Sequence, residues 1–153
     1  MAFKTITLKG DGVRDEALAS GVITPGMLVK LTNAADDTVV AHNAAGENAE
    51  KLFAVEDDLQ GKEIGDDYAN GTLVQYNDWN AGDQVLGIVN DGANVAKGDF
   101  VESAGNGKLR THSGDSAGAV EFPEAIVGVA MEAVDMSDSS AADPTGRIRI
   151  RII

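Results

Sequence analysis

The chain has 153 residues and a mass of 15.8 kDa, which is enough for one domain with its own core. It contains no cysteine, which excludes disulfides, thiolate metal ligands and cysteine catalysis. The 25 acidic residues outnumber the 12 lysines and arginines and give a formal charge of -13. This charge repels phosphate, so we expect no binding to nucleic acid or to anionic membranes.

No membrane span or secretory signal is predicted. The longest apolar run, residues 125–131, is far shorter than the roughly 20 residues that cross a bilayer. The N-terminus has Lys4 but no apolar stretch behind it, so we expect synthesis and folding in a cytoplasm.

Short apolar runs bounded by Gly, Asn or Asp recur along the chain and predict a mainly β fold. The 18 glycines argue against a helical protein of this size. The one predicted helix is a short one at Val13 to Ala19, between Gly12 and Gly21. Strands are predicted at Lys4 to Lys9, Met27 to Thr32, Thr38 to His42, Leu52 to Glu56, Thr72 to Asn77, Gln84 to Val89, Phe100 to Ser103, Lys108 to His112, Ile126 to Val134 and Arg147 to Ile153.

Two kinds of turn are predicted. The pairs Asn70-Gly71 and Asn106-Gly107 are typical of type I′ hairpin turns. A separate recurrence places a large apolar residue three positions before a glycine and a valine three positions after it. Its three copies are Ile23-Thr24-Pro25-Gly26-Met27-Leu28-Val29, Trp79-Asn80-Ala81-Gly82-Asp83-Gln84-Val85 and Val95-Ala96-Lys97-Gly98-Asp99-Phe100-Val101. We interpret them as three similar corners of a small barrel, each with its apolar pair anchored in the core.

The last predicted strand alternates three arginines with isoleucines in Gly146-Arg147-Ile148-Arg149-Ile150-Arg151-Ile152. Alternation puts the isoleucines on the core face and Arg147, Arg149 and Arg151 on the other face. Two interpretations remain open: the arginines pair with carboxylates of the same subunit, or they meet the acids of an adjoining chain at a subunit boundary. We expect an isoleucine-to-aspartate change to unfold the domain and arginine changes to spare it.

Marks of catalysis are absent from the sequence. None of the common nucleophile, zinc, phosphate or dinucleotide motifs occurs, and His42 and His112 stand apart. His112-Ser113-Gly114-Asp115 has the residue types of a triad, but sequence neighbours cannot easily form one. The acidic clusters lack calcium-loop spacing and are typical of solvated turns. We therefore expect no enzyme activity, no cofactor and no metal.

Several segments resemble tailed-bacteriophage capsid decoration (cement) proteins. They are the Ile23 to Val29 corner, Ala49-Glu50-Lys51-Leu52-Phe53-Ala54-Val55-Glu56-Asp57, Val95 to Ser103, Ala125-Ile126-Val127-Gly128-Val129-Ala130-Met131-Glu132-Ala133-Val134 and the terminal Gly146 to Ile150. The resemblance covers residues of about 20 to 153. It implies a small β-barrel or β-tulip-like domain that binds the major capsid protein on the outside of an expanded head, commonly as a homotrimer, and stabilises the shell.

The N-terminal segment is predicted to be a separate element. Phe3, Ile6 and Leu8 carry apolar side chains ahead of Gly10 and Gly12, as in chain ends that a partner holds in place. We expect residues 1–20 to form an extended arm that contacts the capsid or a neighbouring subunit, and residues 21–153 to form the barrel-like domain.

Two other functions are considered. A small carbohydrate-binding or adhesin-like module would need an exposed aromatic strip that includes Trp79. A hydrolase that uses the acidic loops would lose activity on single Asp or Glu substitutions.

Overall fold

Thirteen β-strands and two short 3-10 helices form the regular structure of residues 3–33, 37–113, 123–137 and 146–153, the part of the chain that this computed structural model describes. The 3-10 helices are Asp58–Gln60 and Pro123–Ala125. The strands are β1 (Thr7–Lys9), β2 (Val13–Ala19), β3 (Val29–Leu31), β4 (Thr38–Ala41), β5 (Leu52–Ala54), β6 (Leu73–Asp78), β7 (Gln84–Ile88), β8 (Asn94–Val95), β9 (Phe100–Ser103), β10 (Leu109–Thr111), β11 (Gly128–Ala130), β12 (Val134–Asp135) and β13 (Arg147–Ile152). The mainly β prediction is confirmed. No helix in the described ranges is long and apolar enough to cross a membrane.

The segment predicted as a helix is strand β2, so that prediction was wrong. β2 pairs antiparallel with β6 over six residue pairs, from Val13 opposite Asp78 to Leu18 opposite Leu73. Ala17 and Ala19 are buried and Leu18 between them is exposed, a period of two. A seven-residue helix gains little stability alone, and the pairing with β6 outweighs its weak helical pattern.

The longest predicted strand, Ile126 to Val134, is broken into two. Its first part is β11 in the six-stranded sheet, and its second part is β12 in a two-stranded sheet with β8. The chain leaves the larger sheet at Met131, whose N–H donates to the carbonyl of Arg149.

The strands form three sheets. The six-stranded sheet has the order β1-β7-β13-β11-β9-β10, the five-stranded sheet has the order β3-β4-β2-β6-β5, and β12 pairs with β8. The five-stranded sheet curls until the segment before β3 reaches β5, where Leu28 and Phe53 form an isolated bridge. The described strands therefore do not form the expected closed barrel, because one bridge, not a ladder, joins the ends of this curled sheet.

Two hydrophobic cores share strand β5. Phe53 belongs to the larger core, together with the buried isoleucines of β13. Leu52 and Ala54 point the other way, into a smaller core on the concave face of the curled sheet. This alternation follows from the two-residue period of a strand, and it places the curled sheet between the two cores.

The three recurrent corners are confirmed as one kind of turn. Gly26, Gly82 and Gly98 have φ angles of 95°, 96° and 93°. In each turn the N–H of the following residue donates to the carbonyl three positions earlier, as Met27 does to Thr24. The six apolar residues that flank these glycines are all buried. Glycine at the third position of a β-turn with this φ is typical of type II.

The predicted type I′ turns were wrong. Among the described residues no non-glycine residue has a positive φ, so Asn70 and Asn106 lack the conformation that type I′ requires. Thr72 donates its N–H to the carbonyl of Ala69, and Gly71 has a φ of 81°, which is again a type II arrangement.

The expected extended arm does not project from the domain. In the described part of residues 1–20, β1 pairs with β7 and β2 pairs with β6. Ile6 is fully buried, and its carbonyl accepts the N–H of Leu86. Residues 1 and 2 lie outside the described ranges.

Candidate partner-binding site

Strand β13 alternates as predicted, with its isoleucines in the core. Ile148, Ile150 and Ile152 are at most 1% exposed. Arg147, Arg149 and Arg151 lie on the opposite face, opposite Ile88, Leu86 and Gln84 of β7. The three arginines share a face, but their surroundings differ.

Arg147 holds two distant segments of its own chain against the sheet. It is half-buried, and its guanidinium donates to the carbonyl of Pro25 and to that of Ile64, the latter at 2.8 Å. The first carbonyl belongs to the corner before β3, and the second to the connection between β5 and β6. Arg147 therefore has a structural role within the subunit, and we no longer expect its replacement to spare the fold.

Arg149 and Arg151 differ in exposure. The backbone N–H of Arg149 donates to Oε1 of Glu132 at 2.9 Å, and its guanidinium lies 3.5 Å from the carbonyl of Met131. Arg151 is exposed. Of the stripe, only Arg151 has the exposure that a contact with a neighbouring chain needs, and that contact stays a prediction.

The three apolar residues proposed for partner contact near the N-terminus pack against the core. Ile6 is completely buried and donates its N–H to Oε2 of Glu56 at 3.1 Å. Phe3 and Leu8 are partly buried against the larger core. Their apolar surface is mostly used within the subunit, and a partner contact through what remains exposed is still a prediction.

The two histidines belong to buried polar contacts beneath the loop of residues 43–50. His42 contacts Oγ of Ser103 at 2.8 Å through Nδ1 and the carbonyl of Asn48 at 3.0 Å through Nε2. Glu102, next to Ser103, is 3% exposed and contacts His112 Nδ1 at 2.7 Å and Arg110 Nε at 2.8 Å.

The serine of this cluster is enclosed by the protein. Ser103 is fully buried, so its hydroxyl is not exposed to solvent in this structure. Gly114 and Asp115 of the triad-like segment lie outside the described residues, and His112 contacts Glu102. Within the described ranges no group of three or more His, Asp or Glu side chains could hold a metal ion. One pattern in the sequence could have predicted the contacts of Glu102. Arg110 and His112 are two residues apart and so lie on one face, and Arg110 is directly opposite Glu102 in the β9–β10 pair.

A groove of about 440 Å³ opens at the mouth of the curled sheet, and sequence analysis did not find it. Its floor is formed by Leu52, Tyr76 and Trp79, each about 5% exposed or less. Its rim carries two exposed apolar side chains, Val13 at 65% and Leu31 at 53%. Because these residues come from the ends of different strands, only the curl of the sheet brings them together.

The charge of this mouth groove is negative. Asp15, Glu50 and Asp78 line it and are exposed, whereas Lys51 is the one cation among the lining residues. Asp15 lies directly opposite Tyr76 in the β2–β6 ladder. In the described part of the chain, none of these three carboxylates forms a salt bridge.

Tyr76, which lines the mouth groove, carries a hydroxyl in a negatively charged environment. Burial raises the pKa of its hydroxyl, and the negative charges of Asp15, Asp37, Glu50 and Asp78 raise that pKa further. The residue is 95% buried, yet its hydroxyl is not among the fully enclosed polar atoms and has no hydrogen-bond partner among the described residues. The hydroxyl therefore keeps its hydrogen-bonding capacity for water or for a ligand.

No protein-family model matches the chain, and no curated protein is significantly similar to it. One solved structure with a similar fold is the head fiber gp8.5 N base in bacteriophage phi29. The two chains superpose with a TM-score of 0.58 and 15% sequence identity, over 92% of this chain and 93% of the other. The similarity spans nearly the whole of both chains, so the two proteins share one fold.

Proposed function

We propose that this protein is a structural component of a bacteriophage virion that binds the outer surface of the expanded capsid and stabilises it by bridging neighbouring major capsid subunits. The observation that carries the proposal is the fold, which matches the base of a phage head fiber over 92% of the chain. The resemblance of residues 20–153 to capsid decoration proteins supports it independently of the structure.

The proposed mechanism requires no catalytic step. A protein that binds the assembled shell, but not its separate subunits, stabilises the shell by its free energy of binding. A typical stable contact buries about 800 Å² on each partner, and many copies would hold many subunit boundaries. The formal charge of -13 suits an outer position, away from packaged DNA.

Two surface features could contribute to such a contact. Leu18 and Leu73 are cross-strand neighbours on the outer face of the curled sheet and are 39% and 47% exposed. On the larger sheet, Phe100 is 49% exposed and belongs to the same cross-strand row as Arg151, through Val129. Exposed apolar side chains of this kind mark interaction surfaces when they are grouped.

Binding to expanded, empty heads of the phage that encodes the chain tests this function. We expect the protein to sediment with heads at saturation and to raise the temperature at which they release subunits. A Leu18→Ser/Leu73→Ser variant should bind more weakly, while a Val22→Ser control, also on an exposed apolar residue, should change binding less. Failure of the folded wild type to bind expanded heads would refute the proposal.

We also propose that the protein acts as a homotrimer. The support is the resemblance to decoration proteins together with Arg151, which is exposed in an acidic chain. Sedimentation equilibrium should give three times the mass of 15.8 kDa, and a monomer both free and on heads would exclude the trimer.

The carbohydrate-binding alternative loses the feature on which it depended. Trp79, Tyr68 and Tyr76 are 4%, 6% and 5% exposed, so they do not form the exposed aromatic strip that such a module would need.

A further inference from the structure

The mouth groove combines three features that together are typical of a binding site. Its floor is apolar and aromatic, its sides carry carboxylates without cationic partners among the described residues, and a buried tyrosine whose hydroxyl has no hydrogen bond lines it. This tyrosine, Tyr76, is 95% buried, so only a small part of it is open to the groove that it lines.

The electrostatics select a cationic occupant. Three carboxylates and one ammonium line the groove, and Asp37 adds its negative charge near Tyr76. A positive group there would be attracted by Asp15, Glu50 and Asp78, and the tyrosine oxygen could accept one of its hydrogen bonds.

The apolar side chains of the mouth groove favour a lysine or arginine within a polypeptide over a free amine. Lysine and arginine carry aliphatic stems that can pack on Leu52 and on the ring of Tyr76 while the charged end meets the carboxylates. The exposed side chains of Val13 and Leu31 lie on the rim, where apolar neighbours of that cationic residue could cover them. A small amine would leave both rim side chains exposed to water.

We propose that the mouth groove binds an extended segment of a partner protein through a lysine or arginine side chain flanked by apolar residues. Asp15 and Asp78 bind the charged end, and Val13 and Leu31 contact the flanking residues. This binding does not depend on the virion role, and either proposal can fail without the other.

The test uses the peptide acetyl-Ala-Val-Lys-Val-Ala-amide and the folded full chain. Trp79 is the only tryptophan and forms part of the groove floor, so its fluorescence reports on occupancy. We expect a saturable change that weakens as salt screens the carboxylates, and no such change with the same peptide carrying glutamate in place of lysine.

Matched variants locate the site. Asp15→Asn/Asp78→Asn should weaken binding of the lysine peptide by about tenfold or more, and Lys51→Gln should strengthen it. Glu16→Gln changes the same charge on the same strand but on the opposite face, so it should have little effect. The proposal is overturned if the wild type shows no saturable binding, if the glutamate peptide binds equally well, or if Asp15→Asn/Asp78→Asn binds like the wild type.

Discussion

Arg147 and Arg151 lie on the same face of β13, yet only Arg147 is bonded to distant parts of the chain. Its guanidinium donates to the carbonyls of Pro25 and Ile64, whereas Arg151 is exposed. Hydrogen bonds from a charged group contribute more to stability than neutral ones, and losing them leaves two carbonyls without that partner.

Replacing these arginines one at a time should therefore give different results. We expect Arg147→Ser to lower the free energy of unfolding by about 2 kcal/mol or more, because both contacts are lost. Arg151→Ser should change it by about 0.5 kcal/mol or less, as at other exposed positions. Urea denaturation of the two variants measures the difference, and equal stabilities would show that the carbonyl contacts of Arg147 contribute nothing.

Tyr68 makes stability sensitive to alkaline pH. Its hydroxyl donates to the carbonyl of Val55 at 2.7 Å, and burial raises the pKa of Tyr68 from 10.0 to about 12. An unfolded chain ionises this tyrosine near pH 10, whereas the folded chain keeps it neutral until about pH 12. Between these two values the unfolded state is stabilised relative to the folded state. The contribution is complete below pH 10 and is lost as the pH rises toward 12.

Tyr68→Phe should weaken this dependence. We expect the variant to be about 1 kcal/mol less stable at neutral pH, because the carbonyl of Val55 loses its donor. It should also lose less stability than the wild type between about pH 10 and 12, with Tyr76 responsible for part of what remains. If both proteins lose the same stability over that range, ionisation of Tyr68 is not the cause.

At the scale of elements, the recurrent corners offer a matched pair of substitutions. Gly26 and Gly98 have nearly the same positive φ, so alanine is strained at both. A Cβ at Gly26 would also lie 2.7 Å from the carbonyl oxygen of Leu86 and would collide with Nη1 of Arg147. A Cβ at Gly98 would meet nothing within 4 Å in the described structure.

We therefore expect Gly26→Ala to be clearly more damaging than Gly98→Ala. The Gly98 variant should lose about 1 to 2 kcal/mol from backbone strain alone. The Gly26 variant should lose at least about 3 kcal/mol, because the backbone of β7 must shift as well. Thermal unfolding of both variants distinguishes the contributions, and equal losses would mean that the contact with β7 is easily relieved.

The sequence predicted the elements whose signal is local. Alternation located β13 and its buried isoleucines, and the apolar residues around Gly26, Gly82 and Gly98 located the corners. The strand β2 was missed because its partner β6 lies far along the chain, and that pairing, not local propensity, makes residues 13–19 a strand. The bonds of Arg147 to Pro25 and Ile64 were missed for the same reason, since they span 122 and 83 residues.

The candidate site was even less accessible to sequence reasoning. Asp15, Leu31, Glu50 and Tyr76 belong to different strands or loops, and none is part of a recognisable motif. They meet only because the five-stranded sheet curls until Leu28 bridges to Phe53. A groove that depends on curvature has no spacing in the sequence from which it could be predicted.

At the scale of the whole molecule, two cores on either side of one curled sheet explain how a chain with 5% aromatic residues folds. Most of its strands are short, and many of their side chains are buried in aliphatic contacts. The resulting domain leaves edges, corners and the mouth groove at its surface. The proposed position on a capsid would use such surfaces to contact neighbouring subunits.

Cryo-electron microscopy of purified virions of the phage that we propose as the source of the chain tests the central claim most directly. We predict density outside the shell, at boundaries between major capsid subunits, into which the six-stranded and curled five-stranded sheets fit without rearrangement. Virions that lack this density, or that contain the protein inside the shell, would contradict the proposed role.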